Sequence, residues 1–209
     1  MTTVVELQLI ADPNAWRSAG FFVDPSDTLR FGGIRVRCIA PSEGSVAGIT
    51  SWTLADAPDA TVSAIDGLVT NHADAPDLSQ PAVTHPHGVT GIDHLVIYTP
   101  NLEVTCDAIA AATDAPLKRI REVGPLRQGF HRLGELIIEV VSFPDVAVAS
   151  ATFWGLALNA VNLDAMFDTY GDNVMSKPKN AVQPGRQISS FREGAGLGPP
   201  VAAMTVHSR

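Results

Sequence analysis

Gly91-Ile-Asp-His-Leu-Val-Ile-Tyr-Thr-Pro-Asn-Leu-Glu103, completed by Gly134-Glu-Leu-Ile-Ile-Glu-Val-Val141, is the stretch that decides the fold. Ile92, Leu95 and Ile97 give a strand-like apolar pattern, and Thr99-Pro-Asn-Leu marks a helix start. The alanine-rich run from Val104 to Ala112 is amphipathic and continues that helix. Further strands are expected over residues 118–123, 127–133 and 136–141, the last two joined by a tight turn at Leu133-Gly-Glu135. The unit is therefore strand, helix, three strands, with His94 on its first strand and Glu139 on its last.

The same order returns downstream, with a spacing of about 60 residues, and such repeats outrank any single motif. A strand is expected at 153–158, a helix opening at Asn162 and ending near Gly171, a long loop over 172–183, and strands at 186–192 and 201–207. A shorter copy precedes them. It has a strand at 4–10, Asp12 as N-cap with Pro13 in the first helical position, and strand-like stretches at 21–23, 29–39 and 48–54. In the second of these, Ile34, Val36 and Cys38 alternate with Arg35 and Arg37, so one face is wet. Residues 56–90 are rich in Asp, Ala, Pro, Thr and His and read as a surface connector. His72, His85 and His87 fall in it and are expected to be solvated.

Bulk composition removes several function classes. The chain has 209 residues, 45% hydrophobic and 17% charged, enough for a substantial core and too few charges for extended disorder. Its net charge of −8 argues against a nucleic-acid surface, which needs a basic stripe. No apolar run approaches the ~20 residues that cross a bilayer, and the N-terminal residues show neither a basic region nor a long apolar one, so a cytoplasmic protein is expected. Cys38 and Cys106 are far apart and read as buried, reduced thiols. There is no GxSxG elbow, P-loop or HExxH, and the Gly194-Ala-Gly-Leu-Gly198 string runs into Pro199-Pro200, so it reads as a loop. Trp16, Trp52 and Trp154 are expected to anchor core packing.

Residues 91–207 resemble two modules of the vicinal oxygen chelate superfamily, the glyoxalase and bleomycin-resistance fold. The residues that carry the likeness are Gly91-Ile-Asp-His94, Tyr98-Thr-Pro-Asn-Leu102, Phe130-His-Arg-Leu-Gly134 and Ile137-Ile-Glu-Val-Val141. Gly48-Ile-Thr-Ser-Trp52 with Ala181-Val-Gln-Pro-Gly-Arg186 is also similar to glyoxalase-like proteins of actinobacterial type. The resemblance implies an α+β fold of repeated βαβββ modules whose curved mixed sheets enclose a groove. The expected boundaries are a degenerate module at 1–56, a linker at 57–90, one module at 91–145 and another at 152–209. It also implies that metal ligands come from the first and last strands of each module, so His94 and Glu139 form one half-site for a divalent ion.

The other half-site is where the sequence departs from that pattern. Superposing Leu102 on Leu163 sets Gly155 in the place of His94, and superposing the final strands sets Met204 in the place of Glu139. In the N-terminal copy, Leu7 and Thr53 take those places. Glycine has no donor, and a thioether suits hard cations poorly. Further donors would have to come from His131, His207, Gln183, Glu135 or a second chain.

Arginines supply a different chemistry. Arg121, Arg132 and Arg186, with Gln183, are candidates for binding a carboxylate or phosphate, since a guanidinium grips such groups bidentately. Arg119 shares a strand face with Arg121; the alternative is that both are exposed charges on a wet face.

Two readings stay open. The first is a binding module that holds a small, partly apolar, anionic molecule in the groove without a complete metal site. The second is a metal-dependent lyase, isomerase or epimerase that uses His94 and Glu139, with Glu139 as catalytic carboxylate. The unpaired N-terminal copy leaves a homodimer as one option.

Overall fold

A computed structural model describes residues 1–74, 83, 85–145 and 147–206. Its elements follow in chain order. The N-terminal part contains β1 (Thr3–Ile10), α1 (Pro13–Ser18), β2 (Thr28–Phe31), β3 (Ile34–Ile39), β4 (Gly48–Ala55), β5 (Ala64–Ile65) and β6 (Leu68–His72). Next come β7 (Val89–Tyr98), α2 (Leu102–Thr113), β8 (Arg119–Val123), β9 (Leu126–Leu133) and β10 (Leu136–Ser142). The chain closes with β11 (Thr152–Ala160), α3 (Leu163–Tyr170), β12 (Lys179–Asn180), β13 (Gln187–Ser190) and β14 (Val201–Thr205).

They form two mixed sheets: one of six strands in the order β2-β3-β1-β4-β6-β5, one of eight in the order β12-β13-β14-β11-β7-β10-β9-β8. Each helix starts where a short polar side chain satisfies an orphan N–H. Asp12 accepts from Asn14 N, Asn101 from Val104 N and Asn162 from Ala165 N. In the larger sheet, β10 lies parallel to β7 and β14 parallel to β11, while β7 and β11 run antiparallel down the middle. The two modules are thus related by a local twofold through that central pair.

Stretches 29–39 and 57–90 both differ from the expectation. The stretch 29–39 is a hairpin rather than one strand, because Gly32, at φ +61, lets the chain reverse between β2 and β3. The stretch 57–90, expected as a linker, holds the β5–β6 hairpin, whose β6 pairs in parallel with β4. The turn residues Asp66 and Gly67 both adopt positive φ. Asp66 also accepts a hydrogen bond from Thr105 Oγ1 on α2, tying the smaller sheet to the larger module.

Trp16 and Trp52 are fully buried, as expected, and each indole N–H is satisfied. Trp16 donates to the Leu197 carbonyl at 3.1 Å and Trp52 to Thr70 Oγ1 at 2.7 Å. Trp52 also meets Phe153 edge-on, with centroids 5.4 Å apart, across the two sheets. Among the described residues no helix is long and apolar enough to cross a membrane.

The histidines at 85 and 87 are not solvated. His85 is only 1% exposed; its Nδ1 accepts from Phe22 N and its Nε2–H donates to the Arg30 carbonyl. His87 packs edge-on to Phe21, with centroids 4.3 Å apart, and its buried Nε2 has no partner among the described residues. The stretch 21–23, expected as a strand, forms none; Phe21 instead turns inward as the floor of this aromatic cluster.

Burial lowers the pKa of both histidines, and His87, with His85 beside it, is held at about 4. A neutral buried histidine stabilises the fold fully above its unfolded value of 6.5, and that contribution drains away as the pH falls toward 4. Melting temperature measured across this window should fall, and His87→Phe should flatten the slope. A variant that loses stability as steeply as the parent would contradict this assignment.

Candidate functional site

The groove lies on one face of the eight-stranded sheet, and strand parity decides which side chains reach it. A Cβ on Gly129 would meet Cys106 Sγ of α2 at 2.6 Å, so Gly129 faces the helix. Its neighbour Gln128 therefore faces the groove, together with its sheet partner Val141. The resulting cavity, about 470 Å³, is lined by His94, Gln128 and Glu139 on one side and by Tyr98, Trp154 and Phe191 on the other.

His94 and Glu139 are brought together. Their strands are adjacent and parallel, with Glu139 beside Val96, two residues beyond His94. His94 Nε2 lies 3.2 Å from Glu139 Oε2, and Gln128 Nε2 donates to the other carboxylate oxygen. Behind the imidazole, Nδ1 is 2.9 Å from Asp93 Oδ1. Adjacent strand residues normally point to opposite faces, so this contact needs an irregularity. It is a β-bulge: Ile92 pairs with Leu158 and His94 with Ala157, passing over Asp93. Ile92 and Leu95 enter the core, and Asp93 and His94 both stay out of it.

Asp93 is half of a buried ion pair. Its Oδ2 accepts from Arg186 Nη2 at 2.8 Å, and Arg186 is only 5% exposed. Burial alone would raise the Asp93 pKa. Hydrogen bonds from His94 and Arg186, with the guanidinium charge, outweigh it and hold the carboxyl at about 2. Arg186 makes three further hydrogen bonds: Nε to the Thr205 carbonyl, Nη1 to Gln183 Oε1, and Nη2 again to Asn159 Oδ1. Arg186 and Gln183, expected as ligand-binding residues, thus brace the back of His94 and line a neighbouring cavity of about 860 Å³. Arg132 and Glu135 line that second cavity too, with Arg132 Nε donating to the Gly134 carbonyl.

Arg121 is placed differently. It pairs across the sheet with Gln128, so it stands on the groove face of the outermost strand. Arg119 shares that face, its guanidinium 5.1 Å above the Phe130 ring. The nearby acids lie on the opposite face, where Arg127 bridges Glu103 at 2.6 Å and Glu122 at 3.1 Å.

The second half of the site is apolar. The local twofold exchanges the pairs His94–Ala157 and Val96–Gly155, so Gly155 does stand in the place of His94. A Cβ on Gly155 would meet the Pro200 carbonyl oxygen at 2.5 Å, so this backbone leaves no room for a side chain. The mate of Glu139 is Ala202, not Met204. Val96 pairs with Glu139, and its mate Ala157 pairs with Ala202. Met204 sits two residues further on and is buried. The N-terminal copy also differs from expectation, because β3, not β4, runs parallel to β1. The strand equivalent to β10 therefore carries Val36 and Cys38 beside Leu7 and Leu9, and Thr53 plays no part.

A divalent ion would find His94 and Glu139 and little else. Among the described residues no group of three or more His, Cys, Asp or Glu is arranged to hold one. His131 is buried, its Nδ1 2.8 Å from the Ala115 carbonyl, and His207 lies outside the described residues.

Sequence reasoning missed Trp154. It is 41% exposed, stacked on Tyr98 with centroids 4.9 Å apart and planes 16° apart, and it forms a groove wall rather than core. It too is a bulge residue, passed over between Phe153 and Gly155. The available signal was its position: Trp154 stands as far ahead of the helix cap Asn162 as Asp93 does ahead of Asn101.

This arrangement of modules is the vicinal oxygen chelate fold. No family model and no curated protein matches the sequence. Among solved structures, a mutant of 4-hydroxymandelate synthase from Streptomyces coelicolor is similar at TM-score 0.67 and 16% identity, covering 99% of this chain and 93% of that one. Methylmalonyl-CoA epimerase from Mycobacterium tuberculosis is similar at TM-score 0.49 and 14% identity, covering 60% of this chain and 94% of that one. At 16% identity the likeness to the synthase is one of fold.

Removing Arg186 would strand a buried carboxylate, which costs about 3–5 kcal/mol. Arg186→Met should lower stability in urea by about that much, and Arg186→Met with Asp93→Leu should recover part of it. A double variant no more stable than the single one would deny the coupling.

Proposed function

We propose that the groove binds a small organic anion, with His94 and Glu139 acting as a close polar pair, Nε2 3.2 Å from Oε2, rather than as half of a four-ligand cage. The observation that carries this reading is the second half-site. Gly155 and Ala202 stand in the two ligand places there, and the Pro200 carbonyl fills the space that a side chain on Gly155 would need. Arg121 and Arg119, on the groove face of β8, supply the charge for a carboxylate. Val96, Ala157, Ala202 and the aromatic wall supply an apolar surface.

The polar pair is equipped to handle a proton. Asp93 accepts from His94 Nδ1–H and so leaves Nε2 facing Glu139. A proton taken by the Glu139 carboxylate from a carbon acid in the groove has His94 Nε2 within reach. Such a pair suits an isomerisation or elimination without a complete metal cage.

One observation favours the metal-dependent lyase, isomerase or epimerase instead. A carboxylate behind an imidazole, as Asp93 is behind His94, is the arrangement that orients metal-binding histidines. His94 and Glu139 would then hold the ion, with water or a second chain completing its shell.

Calorimetry with hexanoate, together with elemental analysis of protein purified without chelator, separates the two. The expected result is well under one divalent ion per chain, hexanoate binding unchanged by EDTA, and about tenfold weaker binding in Arg121→Ala. One tightly held ion per chain that disappears in His94→Ala would establish the metal-dependent reading.

A further inference from the structure

The two bulges occupy equivalent places and carry opposite chemistry. In β7 the passed-over residue is Asp93, which braces an imidazole. In β11 it is Trp154, beside a glycine with no side chain. The indole stands at the groove wall where the twofold would otherwise have repeated the acid-braced histidine. One of its faces lies against Tyr98, which is itself held edge-on by Phe143, centroids 5.4 Å apart and planes at 90°. A tryptophan that is 41% exposed at a cavity wall forgoes burial that Trp16 and Trp52 both achieve. Val96, Ala157 and Ala202 line the same cavity as the indole.

The spacing of the sheet sets what fits there. Glu139, Val96 and Gly155 stand in one row across β10, β7 and β11, so the carboxylate and the glycine are two strand spacings apart, roughly 10 Å. That gap takes one flat ring resting on the indole, with the ring's substituent directed toward Glu139 and His94. Arg121 lies two strands further on, across β9 to β8.

We propose that the groove selects a planar aromatic ring joined by a short spacer to an anionic group. The ring stacks on Trp154, the spacer passes over His94 and Glu139, and the anion reaches Arg121 and Arg119. This rests on the groove being an anion-binding site and adds the class of molecule it takes. Trp154 is then the residue that sets specificity.

The test is a matched pair of probes, 6-phenylhexanoate and 6-cyclohexylhexanoate, titrated by calorimetry beside hexanoate. The cyclohexyl compound is the more hydrophobic, so desolvation alone favours it. Stacking predicts that the phenyl compound binds about threefold to tenfold more tightly. The preference, read as the ratio of phenyl to cyclohexyl affinity within each protein, should vanish in Trp154→Leu and persist in part in Trp154→Phe. If hexanoate binds but the two ring compounds do not differ, the aromatic inference falls and the anion site stands. If the preference survives Trp154→Leu, Trp154 is not its source and the inference falls. If none of the three binds, both are overturned.

Discussion

The antiparallel seam between β7 and β11 is the constraint on which the site depends. It sets the local twofold, and its bulges determine what each half presents to the groove. Without the bulge at Asp93, strand parity would send Asp93 and His94 to opposite faces, and the brace behind the imidazole would not form. Without the bulge at Trp154, the indole would not stand beside Gly155 at the groove wall. The same backbone irregularity thus yields a charged relay on one side and an aromatic panel on the other.

The relay ties the surface chemistry of the groove to the interior. Gln128 donates to Glu139, His94 Nδ1–H donates to Asp93 and Asp93 accepts from Arg186, while Glu139 Oε2 and His94 Nε2 face each other at 3.2 Å. Arg186 ends the chain on a carbonyl and two amide oxygens, with Asp93 as its counter-charge. Hydrogen bonds from both ends of Asp93 hold the imidazole in place, and a fixed imidazole is what an orienting site requires. The anionic end of the groove is built the other way, from arginines on an edge strand with their neighbouring acids turned to the opposite face.

Much of this was legible in the sequence. Asn101 and Asn162 announced two helix starts, the period of the repeat set Gly155 against His94, and the strand positions of His94 and Glu139 predicted their meeting. What failed had local causes. A bulge leaves no compositional mark, so Trp154 was assigned to the core; Met204 was named where Ala202 stands because the chain between β11 and β14 is longer than that between β7 and β10. The Pro-rich character of residues 57–90 masked a hairpin whose Asp66-Gly67 turn was itself a readable signal. Arg186 follows a Pro-Gly turn that looks like a loop presenting a guanidinium to solvent. Only the packing shows that its partner is Asp93, far away along the chain.

The Pro200 carbonyl beside Gly155 also constrains what that position can carry. Its oxygen accepts a hydrogen bond from Leu156 N and occupies the volume of the missing side chain. A histidine cannot be placed there by substituting Gly155 alone; the approach to β14 would have to be rebuilt with it. The asymmetry between the two halves is therefore built into the backbone, and new chemistry in this scaffold is more accessible through the indole and the arginine rim than through a second imidazole.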